Sequence, residues 1–177
     1  MRFLLFLLFL PGLALADDWQ ALDQPGAIAI MRHALAPGAA DPADFTLGDC
    51  STQRNLDARG RAQARAIGAA FRARGIRFDR VYTSQWCRCR ETAELLGLGP
   101  VVEAPALNSF FADFSKEAAR TEALKSLISE TSGPRLMVTH QVNISALTGR
   151  STRSGEVVII RMVDGAAEVL GAIMIAP

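Results

Sequence analysis

Apolar and polar positions follow two different periods along the chain. Residues 27–31, AIAIM, are continuously apolar, as expected of a short strand buried on both faces. Over 58–74, ARGRAQARAIGAAFRAR, the alanines, Ile67 and Phe71 fall on one side and Arg61, Arg65 and Arg72 on another, which predicts an amphipathic helix. DRVYTS (79–84) predicts the next strand, and CRCRETAELLG (87–97) a short helix stopped by Gly97. Residues 114–130 predict a third helix, PRLMVTH (134–140) a strand, and NISALTG (143–149) one or two more helical turns. EVVIIRMVDGAAEVLGAIMI (156–175) reads as two β-rich runs about Asp164-Gly165, a hairpin signal. Strands alternating with helices predict an α/β fold: a three-layer sandwich with a mostly parallel central sheet and an antiparallel edge.

The opening stretch, MRFLLFLLFLPGLALADDW, stands outside this alternation. One arginine, an apolar run and Ala14-Leu15-Ala16 ahead of Asp17 are the three parts of a secretory signal peptide. Cleavage after Ala16 is expected, leaving 17–177 as a single domain in the periplasm or outside the cell. Pro11 and Gly12 interrupt a run already shorter than the roughly 20 residues of a bilayer span, which disfavours an uncleaved anchor. A chain of 177 residues, 50% hydrophobic, can bury one good core. Its 19 Lys and Arg against 18 Asp and Glu give no global attraction to nucleic acid. No later segment is apolar enough for a membrane span, and there is no internal repeat or low-complexity tract. Function is therefore expected from a local site.

Ligands of open α/β sheets bind beyond the carboxyl ends of the strands. Arg32 and His33 follow the first predicted strand, Ser84 the second and His140 the third, with Arg88 in the first turn of the helix after the second. Both histidines of the protein thus fall at strand ends. Such a set suits a tetrahedral anion, because arginine offers phosphate a permanently charged planar fork and neutral imidazole can attack phosphorus.

The Arg32-His33 pair, LDARGRAQARAIG, VYTSQWCRCRETA and VTHQVNISALTG, in this order, resemble the histidine phosphatase superfamily and its phosphoglycerate-mutase-like fold. The resemblance spans nearly all of the chain after residue 16. It implies a metal-independent phosphoric monoester hydrolase without cofactor, in which His33 is the nucleophile that becomes phosphohistidine. Arg32 and Arg88 match the phosphate clamp, and His140 the second histidine, which binds the phosphoryl oxygens. Arg90, about 200° further round the helix from Arg88, is expected to point elsewhere.

Two positions depart from the family pattern. Ala34 stands where Arg-His-Gly is usual, and LNSFFADF has Ser109 where many members carry a glutamate acid. Asp113 is the nearest carboxylate and is taken as the candidate acid, the alternative being an N-cap for the helix near Phe114. Arg54 is either a further substrate contact or a surface charge. Arg61, Arg65 and Arg72 read as a solvated helix face, with a docking surface for anionic lipid or polysaccharide phosphates as the alternative.

Three cysteines suit an exported protein. Cys87 and Cys89 diverge on one helix, so Cys50 is the partner of any bridge. Cys87 falls with Glu91 and Glu94 and is the expected mate, Cys89 the alternative. C-x-C without a second cysteine pair is poor zinc spacing, and no metal is expected. The expected function is an exported phosphomonoesterase acting on a phosphorylated small molecule or envelope glycan, without nucleic acid. The alternative is a weakly active or inactive module that binds phosphate on an anionic envelope component.

Overall fold

The computed structural model describes residues 18–175; the expected signal segment and its cleavage site lie outside them. Six strands form one sheet: β1 (Ile28–Arg32), β2 (Arg80–Thr83), β3 (Val101–Glu103), β4 (Arg135–Thr139), β5 (Val157–Val163) and β6 (Ala166–Ile173). Their order is β3-β2-β4-β1-β5-β6. The first four are mutually parallel, while β5 runs antiparallel to β1 and β6 antiparallel to β5. Four helices cover the sheet: α1 (Ala58–Ala73), α2 (Cys87–Leu96), α3 (Glu117–Glu130) and α4 (Gln141–Thr148).

Successive side chains of a strand point to opposite faces, and here each face has its own helices. Ala29 and Met31, Leu136 and Val138, and Val157 and Ile159 pack with Ile67 and Phe71 of α1 and Ala93 and Leu96 of α2. Ile28 and Ile30, Met137, and Val158 and Ile160 pack with Leu124 and Ile128 of α3 and Ile144 and Leu147 of α4. This double cover explains the uninterrupted apolar runs.

Local chemistry sets the boundaries. Asp57 caps α1 by accepting from the Gly60 N–H at 2.7 Å. A Cβ on Gly60 would lie 1.9 Å from the Leu35 carbonyl oxygen, so only glycine lets α1 lie this close to the segment leaving β1. Gly97 ends α2 in the left-handed conformation. Asp164 and Gly165 both have positive φ and turn β5 into β6, as the hairpin signal predicts.

The helix expected over 114–130 divides into a 3-10 turn, Phe114–Lys116, and α3 proper. The strand β3 was not expected; its three residues are all exposed, so no apolar pattern marks it. The arginine face of α1 is more than a solvated stripe. Arg61 pairs with Glu91 at 2.5 Å and Arg72 donates to the Leu96 carbonyl at 2.5 Å, so both join α1 to α2. Cys50 is bonded to Cys87, closing a loop with a sequence separation of 37. In the chain-entropy account such a bridge contributes about 4 kcal/mol. No described helix is long and apolar enough to cross a membrane.

Candidate active site

The parallel strands β1, β4 and β2 end side by side, and each delivers a polar side chain to the same crevice. His33 follows β1, Ser84 follows β2 and His140 follows β4, and all three are buried. The His33 and His140 rings meet edge to face with centroids 5.6 Å apart. Arg88, 4% exposed, reaches both from the first turn of α2. Its Nε donates to His33 Nε2 at 3.2 Å, and its Nη2 lies 3.4 Å from His140 Nδ1.

These contacts assign the tautomers. His33 Nδ1 lies 2.7 Å from the Ala34 carbonyl and must donate to it, which leaves Nε2 unprotonated, its lone pair accepting from Arg88 Nε. His140 Nδ1 faces the Arg88 donor, so its Nε2–H donates to Ser84 Oγ at 2.9 Å, and Ser84 passes a hydrogen bond to Asn108 Oδ1 at 3.2 Å. Asn108 belongs to the same LNSFF stretch as Ser109, and sequence reasoning had not singled it out.

Three guanidiniums surround the pair. Arg32 Nη1 donates to the Thr152 carbonyl at 3.1 Å, and Arg54 Nη1 donates to the Ala36 carbonyl. The Nε atoms of Arg32 and Arg54 are buried without a hydrogen-bond partner. Burial, then mutual repulsion with Arg88, lowers the pKa of Arg54 to about 10. Arg54 therefore belongs to the site rather than the open surface. Arg90 points away and pairs with Glu103 at 3.4 Å.

The structure shows Asp113 in the capping role that the sequence offered beside the acid. Asp113 caps the 3-10 turn, accepts from the Ser115 N–H at 3.1 Å and pairs with Lys116 at 3.1 Å, all in solvent. The Ser115 hydroxyl and Lys116 hold its pKa below the usual carboxylate range, the opposite of what a proton donor needs. The carboxylate that does reach the arginines is Asp41, which sits in a long loop of Asp, Ala and Gly with no spacing signal to single it out. Cys89 is also buried beside the histidines: its Sγ lies 3.6 Å from the Thr139 carbonyl and 3.5 Å from His140 Nε2, and burial pushes its pKa up to about 12. Among the described residues, no group of three or more His, Cys, Asp or Glu could hold a metal ion.

Burial first, and the positive field of Arg88 next, hold both histidines well below their usual pKa of 6.5. In the folded protein they are neutral at mildly acidic pH, whereas in the unfolded chain they protonate below about 6.5. The unfolded state then binds more protons, so stability rises with pH through that window and is lost as pH falls below it. We expect the melting temperature to decline as pH drops from 7 to 5, and the decline to shrink in a variant with both histidines replaced by glutamine.

Comparison with known proteins agrees with the fold. The structure matches the protein histidine phosphatase SixA complexed with tungstate at 18% identity and a TM-score of 0.60, over 83% of this chain and 96% of that one. An Agrobacterium tumefaciens protein assigned as a phosphohistidine phosphatase SixA matches at 20% identity and 0.60, over 87% and 100%. An Escherichia coli protein assigned as an alpha-ribazole-5'-P phosphatase matches at 19% and 0.63, over 85% and 97%. No curated protein matches the sequence. The sequence profile of the histidine phosphatase superfamily (branch 1) covers residues 28–117, half of the chain, from β1 to the start of α3. The chain belongs to the histidine phosphatase superfamily.

Proposed function

We propose that the protein is an exported, metal-independent phosphomonoesterase that works through a phosphohistidine on His33. The observation that carries this reading is the unprotonated Nε2 of His33, fixed by the Nδ1 bond to Ala34 and held against the Arg88 guanidinium that would share the incoming phosphoryl group. In the first step the Nε2 lone pair attacks phosphorus and the ester P–O bond breaks. The leaving oxygen departs with the bonding pair and takes a proton from water. In the second step water attacks the phosphohistidine, the P–N bond returns its electrons to Nε2, and inorganic phosphate forms.

Arg32, Arg54 and Arg88 offset the charge of the phosphoryl oxygens, and the unpartnered Nε donors of Arg32 and Arg54 find acceptors there. His140, held by Ser84, lies beside the same oxygens. The SixA neighbour was solved in complex with tungstate, an oxyanion that resembles phosphate, which supports an oxyanion ligand for this protein. The Cys50–Cys87 bond supports an oxidising location, periplasmic or secreted. The substrate is then a phosphorylated small molecule or envelope glycan.

The test is phosphate release from p-nitrophenyl phosphate in the presence of a chelator, with acid quench to trap a phosphate bonded to histidine. Turnover with a trapped phosphohistidine is the expected result. Turnover that stops with chelator would remove metal independence. Absence of turnover, with phosphate still raising the melting temperature, would leave a phosphate-binding module instead.

A further inference from the structure

Arg88 presents two forks. Its Nε and Nη2 face His33 and His140 at 3.2 and 3.4 Å, while its Nη1 and Nη2 meet Asp41 Oδ1 at 2.6 Å and Oδ2 at 3.2 Å. The carboxylate has two further donors: the Arg54 backbone N–H on Oδ1 at 3.1 Å and the Trp86 indole N–H on Oδ2 at 3.0 Å. All four acceptor positions of Asp41 are filled. With Arg88 bonded on its outer edge, rotation of the guanidinium about its stem would break two charge-assisted hydrogen bonds at once.

Resting on the phosphatase reading, we propose that Asp41 is a positioning residue that fixes the Arg88 guanidinium so that its inner fork faces the phosphoryl group, and that the Cys50–Cys87 bond holds the loop that carries it. The loop from 37 to 53 has no regular structure except a short 3-10 turn at Cys50–Thr52. It is fastened to α2 by the disulfide, by Gln53 Oε1 accepting from the Cys87 N–H at 2.9 Å, and by Phe45 stacked on Trp86 at 5.0 Å. Cys87 immediately precedes Arg88, so one end of the bridge lies next to the residue being oriented. Asp41 does not act as proton donor in this arrangement. Its hydrogen bonds all stabilise the ionised form, and the Arg88 and Trp86 bonds outweigh its partial burial to hold its pKa below the usual value.

The experiment measures kcat and KM of Asp41→Asn, Cys50→Ala and the double variant on p-nitrophenyl phosphate and on an alkyl phosphate. A misplaced clamp costs the transition state, so kcat of Asp41→Asn should fall about 10- to 100-fold on both esters. KM should stay level or fall, because removing a negative charge beside three guanidiniums does not weaken anion binding. Cys50→Ala should lower kcat in the same direction, and the double variant should be no slower than Asp41→Asn, since both changes release the same contact. A kcat of Asp41→Asn within twofold of the parent would overturn the positioning role. A loss confined to the alkyl ester, whose leaving oxygen needs a proton, would make Asp41 the acid instead. Losses that multiply in the double variant would overturn the tether.

Nitrogen-15 spectra of the Arg88 guanidinium read the orientation without turnover. Separate Nη1 and Nη2 resonances are expected in the parent, and a single averaged resonance in Asp41→Asn. Separate resonances in both would overturn the proposal even if the protein hydrolyses nothing, whereas averaging in the variant of an inactive protein would refute only the phosphatase reading.

Discussion

Replacing His33 by alanine should abolish turnover of an aryl phosphate, with a loss on the order of 10^4-fold or more, because the covalent route disappears with its nucleophile. The side chain is 1% exposed and its Nδ1 bonds only the adjacent Ala34 carbonyl, so the substitution removes little scaffold. The variant should remain folded and should still gain thermal stability from inorganic phosphate, since Arg32, Arg54 and Arg88 are untouched. Phosphate release by stopped assay, paired with melting curves at rising phosphate concentration, checks both parts. Residual activity above one per cent of the parent would place the nucleophile elsewhere.

Arg88→Ala is expected to act on both chemistry and stability. On chemistry, it removes the donor that touches both histidines, and kcat/KM should drop about 10^2- to 10^3-fold, the usual cost of one preorganised anion donor. On stability, it strands the Asp41 carboxylate. Breaking a buried ion pair costs about 3 to 5 kcal/mol, and the low end applies here because the Asp41 side chain retains 18% exposure and two other donors. The pH dependence has a defined sign. Arg88 and Trp86 depress the folded pKa of Asp41, so the stabilisation it contributes is present above the unfolded value near 3.8 and is lost as pH falls through the folded value. The gap in melting temperature between parent and variant should therefore be widest near neutral pH and close towards pH 3. A constant gap would show that the Arg88–Asp41 pair contributes nothing to the fold.

The elements legible in the sequence are those whose burial is two-sided or whose ends carry a specific residue. Ile28–Arg32 and Arg135–Thr139 announce themselves because both faces are covered and nearly every position between is apolar. The β5–β6 turn is legible because two adjacent positive φ angles call for Asp-Gly or its like. Val101–Glu103 is illegible for the opposite reason: an exposed edge strand of three residues pairs only through its backbone. Within the site, His33, His140 and Arg32 are legible as residues at strand ends, and Arg88 as one in the first turn of the helix after β2. Asp41 is not, since its position depends on a loop fold set by a disulfide and a stacked pair of rings, and neither leaves a periodic trace. Asp113 reads in the sequence as acid or as cap, and only the local fold shows the cap, because the next turn brings the Ser115 N–H to its carboxylate. Arg61 and Arg72 mislead: a stripe of charges on one helix looks the same whether water or a second helix receives it.

Cys89 gives the molecule an internal clock. Of three cysteines two are bridged, and the third lies fully buried on the inner face of α2, its sulfur against the carbonyl of Thr139 and the ring of His140. A thiol this protonated and this enclosed reacts with alkylating reagents only when the layer above it lifts. Its rate of labelling under native conditions therefore times how often the floor of the phosphate crevice comes apart, with no probe introduced and no residue changed.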